Sequence, residues 1–102
     1  MDTKLTADGY LANIDDWTPV VAEFLASKHA LHLTAEHWEV LNLLRNFYLK
    51  YNASPSIRTL VNAMRQEYGA EKGNSIYLHK LFPGAALQAT NIAGLPKPIR
   101  CI

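Results

Sequence analysis

The sequence predicts a mainly α-helical single domain. It reads as a small orthogonal helix bundle with a helix-turn-helix-like pair, a minor N-terminal β-hairpin and an extended C-terminal arm. Three observations lead there. Apolar residues recur at helical spacing in successive segments, and three of those segments open on a cap residue (Thr18, Thr34, Asn74). The end of the chain carries two prolines close together, Pro96 and Pro98. A length of 102 residues suits one modest core and not two. Residues 1–94 are expected to form the domain and residues 95–102 a mobile arm.

At the N-terminus, Leu5 and Tyr10-Leu11 flank the turn-forming Asp8-Gly9, which is a short hairpin signal. Thr18-Pro19 then places a cap hydroxyl before a proline at the first helical position. Val20, Val21, Phe24 and Leu25 follow at helical spacing, and this helix is expected to end near His29. The next helix opens at Thr34, with Glu36 in its first turn favouring the positive end of the dipole. Its stripe of Trp38, Leu41, Leu44, Phe47, Tyr48 and Tyr51 is expected to be the spine of the core. Asn52-Ala-Ser-Pro55 stops it. A third helix runs from about Ser56 with Ile57, Leu60, Val61, Met64 and Tyr68 on one face, and Gly69 suits the position just past its end. After the polar turn Glu71–Asn74, Asn74 caps a short helix carrying Ile76, Tyr77, Leu78, Leu81 and Phe82. Pro83-Gly84 breaks that helix, residues 85–92 allow one more, and Gly94 closes it. Beyond Leu95, each proline bars its predecessor from helical geometry, so the tail should be extended. Eight residues reach at most roughly 26–29 Å.

Composition narrows the function classes. Hydrophobic residues make up 49% and charged residues 19%, the balance of a globular chain. A net charge of +1 gives no global field for nucleic acid. The first residues lack the apolar core of a signal peptide, and no apolar run approaches the roughly 18 residues of a membrane span. The expectation is a soluble cytoplasmic protein with no membrane partner.

One cysteine, Cys101, stands one residue from the C-terminus. Alone it makes neither an internal disulfide nor a Cys-rich zinc site. An unperturbed thiol has a pKa of about 8.5, so a few per cent is thiolate at neutral pH. Arg100 and Lys97 are candidate electrostatic helpers, opposed by the terminal carboxylate and screened by solvent. Without a resolving cysteine, the productive states are thiol, persulfide, or a mixed disulfide with another protein.

Several blocks of residues carry a resemblance to a known family. The tail Ala93-Gly-Leu-Pro-Lys-Pro-Ile-Arg-Cys-Ile102 strongly resembles the C-terminal arm of the DsrC/TusE family of sulfur-carrier proteins. So do Pro55-Ser-Ile-Arg-Thr-Leu60, Glu71-Lys-Gly-Asn-Ser75 with Tyr77-Leu78, Leu81-Phe-Pro83, and Glu36-His-Trp-Glu-Val40 leading to Asn46-Phe-Tyr48. The blocks fall in the family's order over nearly the whole chain, from Gly9-Tyr10-Leu11 onward. The resemblance implies that Cys101 is the sulfur-carrying residue. In the DsrC branch a second cysteine lies eleven positions upstream, and here that position is Thr90. A threonine does not resolve a persulfide, so trisulfide chemistry of the DsrC type is excluded. What remains resembles the TusE branch, which implies a sulfurtransferase of transfer-RNA thiolation. It would accept sulfur from a TusBCD-like donor complex and pass it to an MnmA-like acceptor with bound tRNA for 2-thiouridine at the wobble position. No cofactor is implied.

Rival readings carry less. Asn52–Leu60 resembles the turn into a recognition helix, with Arg58 and Arg65 as candidate phosphate contacts. The alternative reading is therefore a regulatory or nucleic-acid-binding module that uses the helix pair at residues 38–68. Near-neutral charge argues against autonomous DNA binding. His29, His32, His37 and His79 lack companions at ligand spacing, so no metal site is expected and solvated or half-packed rings are. Arg58, Arg65, Lys72 and Lys80 are candidates for a cationic surface near the arm, or ordinary solvated side chains. Trp17 and Trp38 read as core anchors.

Overall fold

A computed structural model describes residues 4–97 of the chain. Among them are five α-helices, α1 (Pro19–Lys28), α2 (Ala35–Tyr51), α3 (Ile57–Tyr68), α4 (Ser75–Leu81) and α5 (Ala85–Ile92), preceded by one turn of 3-10 helix at Ile14–Asp16. The mainly helical class stands.

Local chemistry fixes most of the boundaries. Thr18 Oγ1 accepts from the Val21 N–H at 3.2 Å, with Pro19 at the first helical position. Ser56 Oγ accepts from the Thr59 N–H, and Asn74 Oδ1 from the Tyr77 N–H at 2.8 Å. Asn52 ends α2 in the left-handed conformation, φ 54°. Gly69, φ 93°, ends α3.

The predicted N-terminal β-hairpin does not form. Leu5 and Leu11 make one isolated antiparallel bridge, closed by the Ala12 N–H on Lys4 O at 2.9 Å. The ladder stops there because Asn13 already caps the 3-10 turn, its side chain accepting from the Asp15 N–H. Three residues past the bridge, at Ile14, the backbone has entered the 3-10 turn. What remains is a tight loop, with Gly9 N–H on Thr6 O and Thr6 N–H on Tyr10 O.

The hub of the core is α5, not the long α2. α5 packs against each of the other four helices, and five of its eight residues are buried. Its sequence explains this: Ala86 and Ala89, with Ala93 just beyond, are small enough for neighbouring helices to approach closely. Around them pack Leu25, Leu41, Leu44, Leu60, Met64, Leu78, Phe82 and Ile92, all buried.

One predicted face is rotated, and another falls short at its last residue. α1 buries Val21, Ala22, Leu25 and Ala26 and leaves Val20 57% and Phe24 43% exposed. The alanines face inward because they meet α5 at short range. α2 buries His37, Val40, Leu41 and Leu44, whereas Tyr51, placed in the stripe by its spacing, is 57% exposed. No helix among the described residues is long and apolar enough to cross a membrane.

Candidate functional site at the root of the C-terminal arm

The last turn of an α-helix leaves four backbone carbonyls without intrahelical partners. In α5 each of these has a donor. Leu95 N–H bonds to Thr90 O at 3.2 Å and Gly94 N–H to Asn91 O at 3.1 Å, the paired bonds of a Schellman motif. Gly94 supplies the left-handed residue, φ 74°, that this motif requires. Ile92 O accepts from the indole Nε1–H of Trp17 at 2.9 Å, and Ala93 O from Arg45 Nη1 at 2.8 Å. Two carbonyls are thus held by local backbone and two by side chains distant in sequence.

Those two side chains support each other. The Arg45 guanidinium lies 4.3 Å from the Trp17 ring centre, and its Nη2 also donates to Ile14 O at 3.0 Å. Arg45 therefore ties α2 to the 3-10 turn and to the end of α5. Burial lowers its pKa from the ordinary arginine value and nearby Asp15 raises it again; the group stays charged. That positive charge sits at the negative end of the α5 dipole. Trp17 also meets the edge of Trp38, ring centres 6.1 Å apart at 66°. Both tryptophans pack against the core, as the sequence implied.

Gly94 fits against this assembly with no room to spare. A Cβ there would overlap Trp17 Cδ1 and lie 2.9 Å from its Cγ and 3.1 Å from Leu11 Cδ2. Leu95, at the start of the predicted arm, is buried in the core, and exposure begins at Pro96 and Lys97. On the adjacent side, Asn91 Nδ2 donates to Gly9 O while Asn91 Oδ1 accepts from His29 Nε2, both at 3.0 Å. The loop at residues 5–11 is thereby fastened to α5.

Of the residues the sequence singled out, Cys101 and Arg100 lie outside the described residues. Lys97 lies within them, exposed, with its Nζ 3.7 Å from Asp8 on the same loop. Thr90 is fully buried, and its Oγ1 has no hydrogen-bond partner among the described residues. Two of the four candidate cations are engaged by neighbouring groups. Arg65 Nη2 donates to Gly73 O, Lys72 pairs with Glu39 at 2.8 Å, and Arg58 and Lys80 are exposed. His32 is exposed, and His79 Nδ1 donates within its own helix to Ser75 O.

The sequence reading missed three residues. Arg45 follows Leu41 and Leu44 and precedes Tyr48 at the spacing of one helical face, so a cation within an apolar stripe was its signal. His37 was expected solvated or half-packed, yet it is buried. Its Nδ1 accepts from the Thr34 N–H at 3.1 Å, and its Nε2 donates to Leu81 O at 2.7 Å. The ring thus completes the α2 cap and holds the end of α4 against it. Asn91 had no sequence signal, because its partners lie 62 and 82 positions away.

Comparisons with known proteins agree with the helical fold. The family described as "DsrC like protein" matches residues 1–102. The chain is 57% identical over 97 residues to the sulfurtransferase TusE of Yersinia pseudotuberculosis, covering 94% of this chain and 90% of that one. It is 56% identical over 102 residues to TusE of Photorhabdus laumondii, covering 99% and 92%. Among solved structures, the NMR structure of DsrC from Allochromatium vinosum superposes with a TM-score of 0.87 at 47% identity, covering 96% of this chain and 88% of that one. Oxidised DsrC, the gamma-subunit of the dissimilatory sulfite reductase of Archaeoglobus fulgidus, gives 0.86 at 37% identity, covering 98% and 92%. Family match, identity over almost the full length and a shared fold lead to one conclusion: this chain belongs to the DsrC-like family.

Proposed function

We propose that the protein is a sulfurtransferase of the carrier type, which binds sulfur as a persulfide on Cys101 and hands it between proteins in the cytoplasm. Identity above half to proteins named sulfurtransferase TusE, over nearly the whole chain, is the observation that carries the reading. The chemistry suits a lone thiol. The Cys101 thiolate attacks the terminal sulfur of a donor cysteine persulfide. A new S–S bond forms, the donor's S–S bond breaks, and the donor cysteine leaves as a thiolate. Delivery is the same step in reverse roles: an acceptor thiolate takes the terminal sulfur and Cys101 leaves as a thiolate. The two steps together consume no oxidant or reductant.

Thr90 keeps this exchange between proteins. Its hydroxyl is neither a sulfur nucleophile nor exposed, so the chain's own α5 offers nothing to resolve the persulfide. Lys97 and Arg100 supply positive charge on the arm. In the finer reading, the donor is a TusBCD-like complex and the acceptor an MnmA-like thiolase with bound tRNA, which makes 2-thiouridine at the wobble position.

The test is persulfide loading followed by intact-mass measurement. The native protein should gain one sulfur atom, removable by reductant, and Cys101→Ser should gain none while melting as the native protein does. Labelled sulfur retained by Cys101→Ser would overturn the proposal. Transfer of the label to tRNA through purified TusBCD and MnmA tests the finer reading separately.

A further inference from the structure

We infer that Arg45 and Trp17 are positioning residues for the arm: by holding the carbonyls of Ile92 and Ala93 they fix the place and direction from which Cys101 is presented to partner proteins. The inference deepens the sulfur-carrier reading and rests on it. Its basis is the disproportion between what a helix end needs and what this one has. A left-handed closure of this kind ends roughly a third to a half of helices, and carbonyls it leaves over are commonly met by water or by nearby groups. Here the two remaining carbonyls are taken by donors from α2 and from the segment before α1, 48 and 75 residues away in sequence. Neither is a generic surface contact. The guanidinium is stacked on the indole, both are partly buried, and the second fork of Arg45 is anchored on Ile14 O.

The consequence is geometric. Ile92, Ala93, Gly94 and Leu95 are all buried, so the backbone cannot pivot until Pro96. Two side-chain donors on successive carbonyls define a direction as well as a position, which one contact would not do. Gly94 pressed against Trp17 blocks rotation on the third side. A carrier whose thiol must enter a partner's site gains from an arm whose root is already ordered, since that entropy need not be lost on docking.

The experiment uses the full chain and its single native cysteine. One nitroxide is placed on Cys101 and a second at Gln66→Cys, an exposed position on α3. Pulsed dipolar spectroscopy then reads the distance distribution between them. Trp17→Phe keeps the ring and removes only the indole donor. Arg45→Met removes both forks, and Arg45→Lys restores the charge with a single reach. We expect the distribution to broaden by about twofold in Arg45→Met, as backbone torsions at the root are released. Trp17→Phe should broaden it less, and Arg45→Lys should recover part of the native width. All measurements are made well below each melting midpoint, so a purely stabilising role would leave the widths equal, and equal widths overturn the inference. If Arg45→Met does not fold, Trp17→Phe and Arg45→Lys carry the test. Persulfide loading of the unlabelled native protein by glutathione persulfide is measured alongside. A native protein that does not load would sink the carrier reading and leave the distance result standing, so the two failures are distinguishable.

Discussion

Gly94→Ala is the sharpest probe of the arm root. The substitution has two separable costs. An L-residue held at φ 74° loses about 1–2 kcal/mol relative to glycine. The new methyl also meets Trp17 Cγ at 2.9 Å and Leu11 Cδ2 at 3.1 Å, with Cδ1 closer still. Overfilling a packed site costs typically about 1–3 kcal/mol when neighbours are held. Trp17 is held: its Nε1 bonds to Ile92 O, the Arg45 guanidinium covers one face, and the Trp38 ring meets it edge-on. The two costs together come to about 2–5 kcal/mol, which for a domain near 100 residues is a fall of at least about 8 °C in melting temperature.

Gly9→Ala is the control. Its φ of 82° is equally demanding, yet nothing lies within 4 Å of the added methyl. Its loss should be the conformational cost alone. Differential scanning calorimetry of the two variants side by side isolates the steric part, which should be at least about 1 kcal/mol. Equal losses in the two would refute the reasoning, because they would mean that Trp17 yields freely and does not lock the root. A double-mutant cycle with Trp17→Ala offers a second route: removing the obstacle should recover the steric cost and leave the conformational one.

Three further outcomes follow from particular side chains. Thr90→Val keeps the shape and removes a fully buried hydroxyl that has no partner among the described residues, so chemical denaturation should show a gain of about 1 kcal/mol; a loss would show that the hydroxyl is satisfied. His37→Leu strands the Thr34 N–H and Leu81 O and removes the edge contact on Phe82, and should cost about 2–4 kcal/mol in the same assay. Stability should also fall on the alkaline side. Burial, helped by Asp8, raises the Tyr10 pKa; burial raises that of Tyr77; and the hydrogen bond to Glu39 raises that of Lys72. In each case the folded state binds its proton more tightly than the unfolded state. The contribution is complete below the ordinary values of 10.0 and 10.5 and is lost as pH rises through the folded ones. Ultraviolet titration of tyrosine, followed alongside unfolding, checks this; tyrosines that all titrate at their free value would contradict it.

The helix boundaries were legible because the forces that set them are local. Thr18, Asn74 and the stop at Gly69 act within four residues of themselves, so a reader of the sequence sees both partners at once. Facing was less legible. α1 is apolar on most sides, with Val20-Val21-Ala22 and Phe24-Leu25-Ala26 in succession, so periodicity alone favours the large residues. Close packing against α5 favours the small ones, and that fact belongs to the neighbour. The site was legible in one half only. Gly94 could be read as the end of α5, whereas the side chains that hold that end depend on partners tens of residues away. A cation inside an apolar stripe marks Arg45 as unusual without naming the carbonyls it serves. The hairpin expectation failed for a related reason: Asp8-Gly9 does turn the chain, but Asn13 claims the next residues for a cap.

The central place of α5 connects stability with delivery. A carrier arm would be simplest to attach to an outer helix, where changes at the root cost little. Here the chain leaves from the helix that every other described helix packs against, and Ile92, Ala93 and Leu95 belong to the core as fully as Leu41 or Phe82. Motion at the root therefore has to disturb core packing, which is too stiff to deform by small steps. Up to Leu95 the chain is part of the body, whereas Pro96 and Lys97 are exposed, with Lys97 3.7 Å from Asp8. Lengthening the arm should then change its reach without touching the fold, whereas any change between Ile92 and Leu95 should alter stability and presentation together. Inserting one residue after Lys97 and one after Ala93 would separate these cases. The first should leave the melting temperature unchanged, and the second should lower it.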